Sequence, residues 1–89
     1  MTVLLIGGLD PLGRSGVIAD VQAVHGAGAE AFIVCSALTA QDDHGGDIEL
    51  VDPDFLAKQL TICFDQEDVR AVKTGWLAND GQIQVLLDT

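Results

Sequence analysis

The sequence predicts an α/β fold: parallel strands with helices on both faces, a three-layer αβα arrangement. Two apolar runs, residues 2–6 and 31–39, show no polar alternation, the pattern of strands covered on both faces. Stretches with helical spacing separate the apolar runs. A glycine-rich turn, Gly7-Gly8-Leu9-Asp10-Pro11-Leu12-Gly13-Arg14-Ser15-Gly16, leaves the first run and opens the first helix. Strand, glycine turn and helix start together make a common small-molecule corner. Glycine lets backbone approach a ligand, and the helix start offers free N–H groups.

Each element follows from local chemistry. Thr2 to Ile6 is the first strand, and Asp10-Pro11 begins a turn. The first helix starts at Ser15 or Gly16, with Ser15 as N-cap, and runs to about Ala27. Val17, Ile18, Val21 and Val24 share one side of it, and Gly26 or Gly28 supplies a left-handed C-cap. Ala31 to Thr39 is the second strand, and the intervening helix makes a right-handed βαβ unit. Ala40 to Asp47 is polar and glycine-rich and reads as a loop, followed by a short strand or extended arm at Ile48 to Val51. Asp52-Pro53 reads as an N-cap followed by proline at the first helical position. Phe55, Leu56, Gln59, Leu60 and Cys63 form the buried face of that helix. Val69, Ala71 and Val72 mark a third parallel strand ending at Lys73-Thr74-Gly75, and Asn79 caps a last helix carrying Ile83, Leu86 and Leu87.

Bulk properties bound the rest. The length allows one small domain, residues 1–89. Hydrophobic residues make up 48% of the chain, and mean hydropathy is +0.34. A chain of this size buries only about 60–65% of the surface its unfolded form exposes, so such apolar content is expected of a piece of a larger sheet. Four extended segments against three helices leave part of that sheet uncovered, which favours a further subunit or a second copy. The net charge is −10 with only four Lys and Arg, which argues against nucleic acid and anionic membrane as partners. Cys35 and Cys63 match no metal spacing and read as buried free thiols of a cytoplasmic protein. No segment has the length of a transmembrane helix, and the N-terminus does not read as a signal peptide.

Three motifs in order resemble one family. The run from Ile6 to Asp20 resembles the opening of hydroxymethylpyrimidine/phosphomethylpyrimidine kinases, of the ribokinase-like superfamily, where A-G-S/T-D-P-S-G-G-A-G-I-Q-A-D is usual. Ala37-Leu-Thr-Ala-Gln41 is similar to that family's A-L-T/V-A-Q, and Val72-Lys-Thr-Gly-Trp-Leu77 to its V-K-I-G-M-L. Pro53 to Leu60 is similar to its P-E-F-V-A-A-Q-L helix. The departures are Leu9 for Ser/Thr, Arg14-Ser15 inside the glycine run, Asp42-Asp43 for Asn-Thr, and Trp76 for Met.

The resemblance implies ATP-dependent, Mg²⁺-requiring phosphorylation of a hydroxymethyl-aminopyrimidine or its monophosphate in thiamine biosynthesis. It implies that Gly8, Asp20 and Gln41 meet the polar edge of the pyrimidine, with Ser15, Thr39 and Trp76 around the ring. It also implies that the ATP site, the anion hole and the alcohol-activating residue lie in a C-terminal half beyond Thr89. The residues agree in kind. A Gln amide answers the adjacent donor and acceptor of an aminopyrimidine, and an Asp carboxylate accepts from its amino group. No G-x-x-x-x-G-K-[ST] motif occurs, so no catalytic or metal-ligating residue is assigned within the chain. The alternatives are a non-catalytic pyrimidine-binding module or remnant, and a pyridoxal-type kinase of the same superfamily. Asp10 also reads as a turn residue, His25 as a favourable charge at a helix C-terminus, and His44 as a solvated loop group. Lys73 reads as a phosphate-sensing point charge or as an exposed strand end.

Overall fold

The computed structural model describes residues 1–42, 44–66, 69–75 and 81–82, with the backbone alone at Gln41. The element order is β1 (Thr2–Leu9), α1 (Gly16–Gly26), β2 (Glu30–Asp42), β3 (Gly45–Leu50), α2 (Pro53–Phe64) and β4 (Val69–Thr74). The four strands form one sheet in the order β3-β2-β1-β4. β1 pairs in parallel with β2 and with β4, whereas β3 runs antiparallel to β2. The sheet is therefore mixed, a parallel centre with one antiparallel edge.

Alternation along β1 explains the layers. Leu4 and Ile6 join Val34, Leu56, Leu60 and Cys63 in the core cluster, so this face meets α2. Residues 5 and 7 turn the other way, toward α1. There Val17 is buried, and its Cγ1 lies 3.3 Å from where a Cβ on Gly7 would stand. One helix thus covers each face, as the unbroken apolar run of β1 requires.

The second apolar run behaves differently. Ile33 and Leu38 of β2 remain 43% and 48% exposed, so the missing alternation there does not correspond to full cover. Residues 40–42 and 45–47, expected in a loop, are instead paired strands. β2 continues to Asp42 and the chain returns antiparallel as β3 from Gly45, with Ala40 opposite Asp47 and Gln41 opposite Gly46. Polar composition hid this hairpin. Its turn is held by His44 N–H donating to Asp42 Oδ1 at 2.8 Å and by Gly45 at φ +115, a conformation suited to glycine.

The helix ends follow the sequence more closely. Ser15 is the N-cap of α1 in extended conformation, but its hydroxyl makes no cap hydrogen bond. Gly28, not Gly26, takes the positive φ beyond the C-terminus. Asp52 caps α2 by accepting the Asp54 N–H at 2.8 Å, with Pro53 in the first turn. Asp52→Ala is expected to lower stability by about 1 kcal/mol, read as a shifted urea midpoint. On α2, Leu56, Leu60 and Cys63 are buried, but Phe55 is 58% exposed and lies off the core face. Burial raises the Cys63 thiol pKa. The expected helix from Asn79 falls almost entirely outside the described residues. Among the described residues no helix is long and apolar enough to cross a membrane.

Candidate active site

Strand order reverses at β1. The chain goes from β1 to β2 on one side and later places β4 on the other. In open α/β sheets such a switch leaves a crevice outside the carboxyl ends of the strands. A cavity of about 440 Å³ opens there, lined by Gly7 and Gly8 of β1, the glycine turn, Asp20 of α1, Thr39 of β2, Ile48 of β3, and Lys73 and Gly75 at the end of β4. That volume suits a small organic ligand.

The turn is organised by Asp10. Oδ1 accepts from Leu12 N–H at 3.1 Å, and Oδ2 from Arg14 N–H at 3.1 Å and from the Ser15 hydroxyl at 3.4 Å. These bonds, led by that from Leu12, hold the Asp10 carboxyl below its ordinary pKa against a smaller opposing effect of burial. Gly16 then brings the start of α1 back against β1, with a bridge to Leu9. Its φ is +69, and a Cβ there would overlap the Gly8 carbonyl oxygen. The turn therefore closes only with glycine at this position.

Gly8 is a different case. A Cβ there would meet nothing nearer than the Ala37 carbonyl at 3.7 Å, an ordinary contact. Among the described residues, neither packing nor backbone conformation demands glycine at position 8. What its hydrogen leaves open is space in the cavity.

Two carboxylates and one ammonium set the charge. Asp10 spends both oxygens on the turn. Asp20 Oδ2 pairs with Lys73 Nζ at 2.7 Å, and among the described residues no donor reaches Asp20 Oδ1. Asp20, which lines the cavity, therefore keeps acceptor capacity beyond the Lys73 pair among the described residues. The Lys73 side chain is 52% exposed, so the pair stabilises the fold by only about 0–1 kcal/mol. Thr39 turns its hydroxyl to the Leu9 carbonyl at 3.0 Å, tying β2 to the start of the turn and leaving the rest of its side chain at the cavity wall.

Of the six residues expected to bind ligand, four come together here: Gly8, Ser15, Asp20 and Thr39. Gln41 stands on the β2 backbone opposite Gly46, two residues beyond Thr39, and Trp76 lies outside the described residues. Lys73 and Asp10 also line the cavity. Ile48 and Gly75 had not been expected there. Ile48 had read as the start of a short strand or extended arm, and β3 bears that out, but its place opposite Thr39 depends on the hairpin pairing. Gly75 carried a usable signal: it ends a strand parallel to β1, and its N–H donates to the Ile6 carbonyl at 2.6 Å, which brings it beside Gly7.

Comparison with known proteins agrees with this fold. The family described as phosphomethylpyrimidine kinase matches residues 10–89. The hydroxymethylpyrimidine/phosphomethylpyrimidine kinase of Escherichia coli is 32% identical over 89 residues, covering 99% of this chain and 34% of that protein. The crystal structure of phosphomethylpyrimidine kinase from Clostridium difficile superposes with a TM-score of 0.92 at 28% identity, covering 99% of this chain and 38% of that one. Pyridoxal kinase of Bacillus subtilis superposes with a TM-score of 0.90 at 24% identity, covering 98% and 35%, a likeness of fold. The chain thus spans little more than a third of the length of these relatives.

Proposed function

Because the chain belongs to the phosphomethylpyrimidine kinase family, which its residues 10–89 match, we propose that this cavity receives the aminopyrimidine ring of a hydroxymethylpyrimidine or phosphomethylpyrimidine kinase acting in thiamine biosynthesis. The observation that carries the reading is the pairing of a carboxylate oxygen on Asp20 that no described donor reaches with a glycine, Gly8, that no described neighbour requires. An exocyclic amino group donates to Asp20 Oδ1. The flat ring lies along the Gly8 backbone, with Ser15 and Thr39 beside it. Gln41 and Trp76 complete the site by resemblance. Gln41 supplies both acceptor and donor to the ring edge.

The cavity does not fit a nucleotide triphosphate with its Mg²⁺. Its charge is two carboxylates against one ammonium, the wrong sign for a polyphosphate. We therefore assign no phosphoryl-transfer step to these residues. ATP and Mg²⁺ belong, in this reading, to the part of the family's length that the chain does not span. What these residues do is bind, orient and select the pyrimidine.

Thermal unfolding with added ligand tests this. A ligand that binds only the native state stabilises it by about 2.7 kcal/mol at a hundredfold excess over Kd. Hydroxymethylpyrimidine is expected to raise the melting temperature, whereas Mg-ATP and pyridoxal are not. Gly8→Ala is expected to keep the unliganded melt within a few degrees, because its Cβ meets only ordinary contacts, and to lose the pyrimidine response. A response to pyridoxal instead would assign the site to the other vitamin kinase. No response to any ligand from a cooperatively folded chain would overturn the reading.

A further inference from the structure

β2 carries one residue more than its partner. Gly7 pairs with Cys35 but Gly8 pairs with Ala37, so Ser36 is inserted as a β-bulge. Side chains alternate along a strand, and one inserted residue sends everything after it to the opposite face. Without the insertion, Thr39 would take the face that Leu38 now occupies, away from the cavity. Ile48, opposite Thr39 in the hairpin, would lose its partner at the cavity wall. The bulge at Ser36 thus decides which residues of β2 and β3 line the site.

A bulge leaves backbone groups without ladder partners. The problem is acute here, because β3 pairs with β2 only from Ala37 onward. Residues 35 and 36 lie at the bulge and also at the end of the hairpin ladder. Gln59 of α2 answers it. Its Oε1 accepts from Cys35 N–H at 2.9 Å, and its Nε2 donates to the Cys35 carbonyl at 2.9 Å. The amide stands in for a neighbouring strand. The Ser36 carbonyl accepts from Val51 N–H at 3.0 Å and from Gln82 Nε2 at 2.8 Å. Gln82 is fully buried and also donates to the Val51 carbonyl at 2.8 Å.

We propose that Gln59 is a positioning residue of the site. Its carboxamide fixes the Ser36 bulge, with Gln82 as a second clamp, and so sets the register that turns Thr39 and Ile48 to the cavity. It touches no ligand. The proposal rests on the reading of the cavity as an aminopyrimidine site, and the test separates the two. Gln59→Leu keeps the side-chain bulk and removes both hydrogen bonds. Leu60→Val, its neighbour on α2, removes a buried methylene and leaves the bulge intact.

Two measurements are made on each variant: cross-strand NMR contacts between Gly8 and residues 36–37, and titration with hydroxymethylpyrimidine. Gln59→Leu is expected to lose or broaden the Gly8–Ala37 pairing and to weaken binding at least tenfold. Leu60→Val is expected to melt at a lower temperature with pairing and affinity unchanged. If Gln59→Leu does not fold, Gln59→Asn, one methylene too short to span both Cys35 groups, takes its place with the same expected outcomes. Gly8–Ala37 pairing that persists in the variant, or affinity that merely tracks stability in both variants, would overturn the positioning role. If the unsubstituted chain binds no pyrimidine, the ligand reading fails, and the pairing data alone decide whether Gln59 sets the register.

Discussion

Gly16→Ala is expected to lower the unfolding free energy by about 2–4 kcal/mol and to abolish ligand binding in whatever chain remains folded. Two costs combine. Position 16 has φ +69, where a side chain costs about 1–2 kcal/mol. The added Cβ also overlaps the Gly8 carbonyl oxygen. That atom belongs to a strand backbone and cannot swing aside as a side-chain end would. Either the bridge between Leu9 and Gly16 opens, or β1 shifts at the cavity floor. Gly28→Ala separates the two costs. Its φ is +82, but among the described residues nothing lies within 4 Å of the added Cβ, so it carries the conformational cost alone. Urea unfolding of both variants, with an unchanged m-value as the check on two-state behaviour, gives the comparison. Equal losses at 16 and 28 would mean that the close approach of turn and strand is not what holds the corner together. Against a total stability of about 5–15 kcal/mol for an ordinary domain, a loss at the upper end is a large fraction.

The contrast between Gly16 and Gly8 shows how far residues alone carry the argument. The sequence displays a glycine-rich turn after a strand, and the structure places the cavity there. Which glycine serves the turn and which the ligand depends on backbone approach, and spacing does not reveal that. The central strand and both helices were legible because their apolar periodicity and caps are local signals: Asp52-Pro53 for α2, Gly28 beyond α1. The β2–β3 hairpin was not, because Gln41, Asp42, Gly45, Gly46 and Asp47 have turn composition and their pairing is a tertiary fact. The Ser36 bulge was invisible for the same reason. A bulge is a mismatch between two strands, and neither strand alone shows it. Gln59 therefore read as one more position on a helix face, although its amide serves the neighbouring strand.

The Asp20–Lys73 pair yields the sharpest functional expectation. Asp20→Ala is expected to weaken hydroxymethylpyrimidine binding roughly tenfold to a hundredfold, since a hydrogen bond to a charged group contributes about 1.5–3 kcal/mol and each 1.4 kcal/mol is about a factor of ten. Stability should change by no more than about 1 kcal/mol, because the Lys73 side chain stays half exposed and water takes over its solvation. Affinity loss alone would not show what Asp20 contacts. The pyrimidine lacking its amino group supplies that information in a double-mutant cycle. The unsubstituted chain should prefer the amino ligand, since a site built to bond a polar group rejects an analogue without it. In Asp20→Ala that preference should vanish, with both ligands binding equally weakly. Asp20→Asn keeps an acceptor oxygen without the charge, but its amide nitrogen cannot accept from Lys73, so its affinity should fall between the two. A preference that survives in Asp20→Ala would place the amino group against another acceptor and leave Asp20 as a partner of Lys73 alone.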